Sequence, residues 1–487
     1  MTAKKFWLWY VLAWIITAIP LVLLHGVPGV DTPNHVARLH VLASLEENHA
    51  LWNFYRVHWA LLPNLAVDLF ITPIVYFFKI NALVLMKVFL INMIGITGAG
   101  FAVLNRAITG QWKAWGLFGL LFSYSYVFGF GFINYLFGIG LSLLFVGTQL
   151  MLKDKPKLRS FVIAVGFPIL LLNHLLALVL GGMTVVILAI WQRDKSKGLW
   201  VGFGIGGFLS LVYMKLCSTA AVSAGMYYDS MKQHFRNVFF PLYFSDFARD
   251  LAFWLLVVAV VVWFVRKEKK VPSLSISLLG IFTVVALLLP HQAMTSAFLS
   301  GRISIWAILV AGATIEKISV APGMIVALIF ARSADVTSRF LAWNTTFDQL
   351  KTDLRIIPDD SLVYQMVSVK TRPLQPDGWH PSLLHADCLL LLERNCYINN
   401  VFSLPYQQPL QNAPEIGPDL RDLYTYATEE GTAKSRQWVL WQLGLMSPRL
   451  QTRPVYIYFI KKEFEKPVEN LGEVLIERPR YIIYQFR

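Results

Sequence analysis

The stretch His25-Gly-Val-Pro-Gly-Val-Asp31-Thr-Pro-Asn34-His35-Val-Ala-Arg38-Leu-His40 gathers ionisable groups in a chain otherwise short of them. Pro33 suits the first turn of a helix, with Asp31 or Thr32 as its cap. In such a helix Asp31, His35 and Arg38 fall at i, i+4 and i+7, on one face. The carboxylate could take a proton from an attacking hydroxyl. The guanidinium could hold a phosphate in bidentate fashion. The same residues also read as a helix cap and as an arginine reaching for lipid headgroups; the spacing alone leaves both readings open. Further on, Tyr55-Arg56-Val-His58-Trp59-Ala-Leu-Leu-Pro63-Asn64-Leu-Ala-Val-Asp68 adds His58, Asn64 and Asp68. Asp31 or His35 could complete a site for magnesium or manganese with His58 and Asp68, since hard cations take oxygen ligands. Nothing in the spacing demands a metal, and a structural role for His58 is the simpler reading.

The elements that must position these groups are those of a membrane protein. The chain has 487 residues, of which 56% are apolar and 15% charged, against roughly 25% charged in a soluble domain. Mean hydropathy is +0.55. Lys and Arg number 43 and Asp and Glu 29, a balance of +14. Residues 1–333 hold 26 basic and 11 acidic groups, and residues 334–487 hold 17 and 18. The excess sits in short connectors between apolar runs: Lys4-Lys5, Arg106 to Lys113, Lys153 to Arg159, Arg193 to Lys197 and Arg266 to Lys270. That pattern marks cytoplasmic loops. It argues against nucleic acid as a partner, because no basic stripe interleaved with aromatics lies on a polar segment.

Eleven runs could cross: 6–24, 82–104, 114–130, 132–152, 160–174, 175–192, 198–217, 251–265, 273–290, 303–316 and 318–333. Phe6 to Leu24 reads as an uncleaved first helix with its N-terminus inside. Leu62 to Phe78 would place two basic connectors outside if it also crossed, so it is expected to lie on the outer face, in a first outer loop spanning 25–81. The expected fold is thus a polytopic α-helical membrane domain over 1–333. An extracytoplasmic α/β domain follows over 334–487, with strands near Val363–Val369, Val455–Ile460 and Tyr481–Phe486 and helices near Thr346–Asp353 and Lys434–Leu445. Turn clusters separate these at Arg372–Gly378 and Gln407–Pro418. The segment 218–250 reads as an interfacial outer loop, with Lys232, His234 and Arg236 as headgroup contacts. Cys388 and Cys396 could form a disulfide if the tail is outside. The glycines of Gly202–Gly207 are membrane-helix packing, not a nucleotide fingerprint.

An inside N-terminus, an acid just after the first helix (Asp31), outer-face helices at 32–47 and 62–78, a many-helix body and an outer tail together resemble the GT-C superfamily of polytopic glycosyltransferases. The runs Asp31–Arg38 and Pro63–Asp68 look like a branch from bacterial envelope-polysaccharide clusters. The architectural resemblance covers the whole chain, and the sharper motifs cover about residues 25–70. It implies transfer of a sugar from a polyprenyl-phosphate carrier to a glycan, lipid or protein acceptor at the outer face of the cytoplasmic membrane. The family's general base or acceptor-orienting acid falls on Asp31, with His35 and Arg38 shaping the site or binding phosphate. The family often carries a second acid in the next outer loop; here that tip reads Phe130-Gly-Phe-Ile-Asn134-Tyr135, which favours a metal-independent mechanism. Arg302, with His174, would hold the carrier phosphate; each also reads as a snorkelling cation and a core histidine. His58, Asn64, Asp68 and Asn134 complete the candidate binding set. Two other classes remain: a transporter or flippase for a lipid-linked saccharide, which would spread polar groups through the helices, and a non-catalytic assembly subunit, which would need its tail but not Asp31.

Overall fold

The computed structural model describes residues 1–217, 228, 230–267, 273–293, 296–316, 318–368, 383–403, 408–416, 425–427, 432–463 and 465–486. It is mostly helical. Thr2 caps α1 (Ala3–Leu23) by accepting from Lys5 N at 3.3 Å. Then come α2 (Thr32–Ser44), with Pro33 in its first turn, α3 (Ala66–Phe78) and α4 (Ala82–Thr109). After the single turn α5 (Tyr126–Gly129) the chain forms α6 (Ile133–Met151), α7 (Pro156–Asn173), α8 (Leu175–Trp191) and α9 (Lys197–Leu216). Next are α10 (Met231–Phe239), α11 (Phe247–Lys267), α12 (Ser273–Leu288), α13 (Leu299–Ala313) and α14 (Pro322–Leu354). The last helices are α15 (Thr432–Leu445) and α16 (Pro448–Gln451). Among the described residues six helices, α1, α4, α6, α7, α9 and α11, are long and apolar enough to cross a membrane.

The chain forms two compact units: residues 1–24, 61–67 and 87–341, and residues 25–60, 68–86 and 342–487. The boundary expected after residue 333 therefore falls inside α14, and the first polar loop groups with the tail.

In the helical unit, the Met1 amino group donates to Trp112 O at 3.0 Å, Asn105 to Ala313 O at 2.9 Å and Lys113 to Glu316 O. The chain start and the connectors near 106–113 and 314–316 thus share one end. The run 114–130 differs from the helix expected of it. It is a 3₁₀ segment, Ala114–Phe122, a break at Ser123–Ser125 and then α5, buried from Ala114 to Gly129. Backbone freed by such a break needs protein partners in an apolar setting. Arg332 supplies one, donating to Tyr124 O at 2.9 Å and to Leu242 O at 3.1 Å, while Pro241 O accepts from Tyr126 N at 3.0 Å. Asp250 in turn holds Arg332 at 2.6 Å and Arg339 at 2.9 Å. The run expected at 318–333 starts its helix only at Pro322 and meets Arg332, Asp335 and Arg339 before continuing to Leu354.

At 1.5 Å per residue, the 13 residues of α3 span about 20 Å, short of the ~30 Å hydrocarbon core. Ile71 and Val75 are buried on one side; Phe70, Phe77 and Phe78 are exposed. This amphipathic form suits the surface helix expected at 62–78. Of the loop at 218–250, residues 218–227 and 229, including Tyr227 and Asp229, lie outside the described residues. His234 is buried and donates through Nε2 to Leu287 O at 3.1 Å, so it is not a headgroup contact.

Short strands pair as β1 (Tyr55–Val57) with β6 (Leu410–Asn412), and as β2 (Gln292–Ala293) with β3 (Ser296–Ala297). The main sheet joins β4 (Leu362–Ser368), β5 (Tyr397–Ile398), β7 (Thr425–Ala427), β8 (Val455–Ile460), β9 (Glu473–Glu477) and β10 (Tyr481–Phe486). Its order is β5-β4-β8-β10-β9, with β7 also on β4. β4 runs parallel to β8, from Leu362 opposite Val455 to Val367 opposite Ile460, and β10 is antiparallel to β8. Every residue of β4 and β8 is buried, as expected of largely apolar strands covered on both faces. The turn cluster Arg372–Gly378 lies outside the described residues.

Candidate functional site

Each unit builds a polar constellation of its own. In the unit that contains the sheet, the loop before α2 is tethered to α14. His25 N donates to Asn344 Oδ1 at 2.7 Å, and His25 Nδ1 lies 2.8 Å from Asp348. Gly26 presses on Phe347, where a Cβ would sit 2.6 Å from the ring, and Gly29 takes φ 90°, open to glycine at no steric cost. The loop delivers Asp31 to the start of α2, but its side chain makes no capping hydrogen bond. Asp31 Oδ1 instead lies 3.7 Å from Nε2 of His385, with the Asp31 side chain 19% exposed and the imidazole fully buried.

The protons of this group can be assigned in sequence. Phe402 N donates to Asn34 Oδ1 at 2.6 Å, which fixes the amide and makes Asn34 Nδ2 the donor. That nitrogen donates to Asn400 O and faces His385 Nδ1 at 3.3 Å. His385 Nδ1 is therefore an acceptor, and its ring proton sits on Nε2, toward Asp31. Burial pushes the His385 pKa down to about 3, so the ring is a neutral donor and the pair with Asp31 is not a salt bridge at ordinary pH. Behind it, Asn400 donates through Nδ2 to Asp387 Oδ1 at 3.2 Å and to Gln365, and accepts from the Cys388 thiol at 3.1 Å. Burial lifts the Asp387 carboxyl to about 7, with the Asn400 amide pulling the other way.

The partners of Arg38 differ from both sequence expectations. It is fully buried, and its Nε and Nη2 grip both oxygens of Asp68 at 2.8 and 2.9 Å. The fork neither reaches headgroups nor stands ready for a phosphate. Arg38 Nη2 also donates to His35 Nδ1 at 3.0 Å. Burial first, then the charge of Arg38, holds His35 well below its usual pKa. Its Nδ1 is occupied, leaving an Nε2–H donor rather than a base. The metal set suggested by Asp31, His58 and Asp68 does not assemble: Asp68 is taken by Arg38, His58 is exposed, and no cluster of three or more His, Cys, Asp or Glu able to hold a metal occurs among the described residues. The disulfide between Cys388 and Cys396 is not formed; both are buried free thiols, pushed up in pKa by burial.

In the helical unit, Asn134 is a clamp. Its Nδ2 donates to Asn64 O at 2.8 Å and its Oδ1 accepts from Val67 N at 3.2 Å. It holds the turn into α3, where Asn64 adopts a left-handed φ of 63°. Arg302 in α13 is buried, with its guanidinium 3.8 Å from the Phe132 ring and its carbonyl accepting from Tyr135 Oη at 2.6 Å. Its Nη1 faces His174 Nε2 at 2.9 Å, while His174 Nδ1 caps α8 against Leu176 N at 3.1 Å. Both imidazole nitrogens thus face donors. Whichever nitrogen carries the proton, one contact sets donor against donor, an arrangement that an anionic oxygen at that place would relieve.

Asn34, Gln365, His385, Asp387 and Asn400 did not stand out in the sequence as site residues. None stands in a spacing motif, and the last four approach α2 only through the tertiary fold around β4 and the 3₁₀ turn Ala386–Leu392. No protein-family model matches the chain, and no curated protein matches it in sequence.

Proposed function

We propose that this protein is a GT-C-like glycosyltransferase of the bacterial cytoplasmic membrane, with about eleven crossings, a cytoplasmic N-terminus and the sheet-bearing unit outside. It moves a sugar from a polyprenyl-phosphate carrier to a glycan, lipid or protein acceptor. The acceptor hydroxyl attacks the anomeric carbon and gives its proton to Asp31. The new C–O bond replaces the bond from that carbon to the phosphate oxygen, and the polyprenyl phosphate leaves. In the helical unit by itself, Arg302 and His174 form a candidate phosphate-binding pair, both able to donate to a phosphate oxygen.

The observation that carries the reading is Asp31. Of the two Asp residues in the first polar loop, Asp68 is neutralised and sealed by Arg38, whereas Asp31 keeps access to solvent beside a neutral imidazole donor. A partly exposed carboxylate facing a neutral donor is placed to take a proton from a bound hydroxyl. The donor-against-donor contact at His174 supports the phosphate role. The shared end of the chain start and the 106–113 connector is what the proposed orientation requires.

The test uses full-length protein in detergent with a panel of polyprenyl-phosphate sugars. Asp31→Asn should lower transfer by about 10²- to 10⁴-fold, the usual worth of a positioned base, with an unchanged melting temperature. Transfer at the wild-type rate by a folded Asp31→Asn protein would falsify the mechanism.

A further inference from the structure

We propose that His385 is a positioning residue for Asp31, a neutral hydrogen-bond donor that orients the carboxylate and sets its proton affinity. This rests on the reading of Asp31 as the base. Three features of the geometry carry it. The tautomer is fixed from behind: the Phe402 N–H orients the Asn34 amide, and that amide leaves His385 with its proton on Nε2, 3.7 Å from Asp31 Oδ1. The ring is clamped edge-on by Phe402, with centroids 5.5 Å apart. The backbone of His385 sits at φ 61°, a left-handed conformation rare for a side-chain-bearing residue. Strain of this kind persists where the surroundings over-determine a position. The 3.7 Å gap is longer than a made hydrogen bond. Contacts of this type often tighten only when substrate is bound.

The neutrality of the ring is functional. A cation at this place would drag the Asp31 carboxyl down and weaken it as a base. A buried imidazole that stays uncharged through the working range orients Asp31 with a much smaller loss of basicity.

The first readout needs no substrate. Carbodiimides couple to protonated carboxyls, so the pH dependence of Asp31 labelling in the full chain, read by mass spectrometry, reports its proton affinity. His385→Phe fills the aromatic pocket without a donor. Loss of a donor to the charged form should move the labelling midpoint up by about one pH unit. His385→Gln, which keeps an N–H, should restore most of the shift. Asn34→Leu leaves the imidazole in place and frees its tautomer; it should shift the midpoint the same way by less, and it carries the test if His385→Phe does not fold. In transfer assays His385→Phe should lower kcat about 10-fold or more with KM little changed and should raise the acid limb of the pH profile by the same amount as the labelling midpoint. An unmoved midpoint in folded His385→Phe and Asn34→Leu proteins overturns the positioning role. That result is distinct from failure of the base reading, which shows as undiminished transfer by Asp31→Asn whatever the labelling gives.

Discussion

Two carboxylates in the first polar loop, Asp31 read from the sequence as a base and Asp68 as a binding residue, lie in opposite environments. Asp68 is locked by both arms of Arg38, each side chain about 1% exposed. Asp31 meets a neutral ring and remains 19% exposed. Asp68 is a structural carboxylate, whereas Asp31 keeps access to solvent. A buried ion pair fixes geometry but removes both partners from chemistry, and breaking it strands a charge.

The largest effect should come from Asp68. Asp68→Leu leaves Arg38 charged and buried, and removing one partner of such a pair costs roughly 3–5 kcal/mol. A thermal melt in detergent should show a marked drop or no folded protein. Asp31→Leu should stay within about 1 kcal/mol of wild type, because the Asp31 side chain does not cap α2 and is partly exposed. Equal destabilisation by the two changes would erase the contrast.

The next effect sharpens the comparison with a third carboxyl. Asp387 is as buried as Asp68 but has an amide, not an arginine, for a partner. Its carboxyl is raised from 3.8 to about 7. A raised acid holds its proton more tightly folded than unfolded, so its stabilising contribution is complete below about pH 4 and is lost as pH climbs through 7. Melts across pH 4–8 should fall along this range for wild type. Asp387→Asn cannot ionise and keeps an oxygen for the Asn400 amide. It should flatten that slope and be the more stable protein at pH 8, by on the order of 3 kcal/mol. An identical slope in both proteins would show that Asp387 ionises freely in the fold.

Much of the fold was legible because periodicity and run length report burial directly. β8 and β10 occupy Val455–Ile460 and Tyr481–Phe486, as expected, and α2 starts where Pro33 and Asp31 place it. The broken segment at 114–130 was not legible. Its composition is that of a helix, and what permits the break is Arg332, some 200 residues away in sequence, supplying donors to Tyr124 and Leu242. The site divides in the same way. Asp31, His35 and Arg38 were found because helix spacing is local. Their pairings were not legible, because His385 and Asp68 reach them by tertiary contact, and the pairing of Arg38 with Asp68 departs from the role expected of each.

The smallest effect concerns His58, which the sequence placed beside Asp68 as a metal ligand. The structure leaves its side chain exposed, while its backbone N–H donates to Pro409 O at 2.8 Å next to the β1–β6 pair. Only the backbone has a structural task, and substitution keeps the backbone. His58→Ala should therefore change stability by no more than about 0.5 kcal/mol, the usual range for an exposed position, and should leave the proposed sugar transfer and its response to added magnesium or manganese as in wild type. A metal response that disappears in His58→Ala would return His58 to the site and require Asp68 to leave Arg38, joining the two carboxylates that the fold holds apart in role.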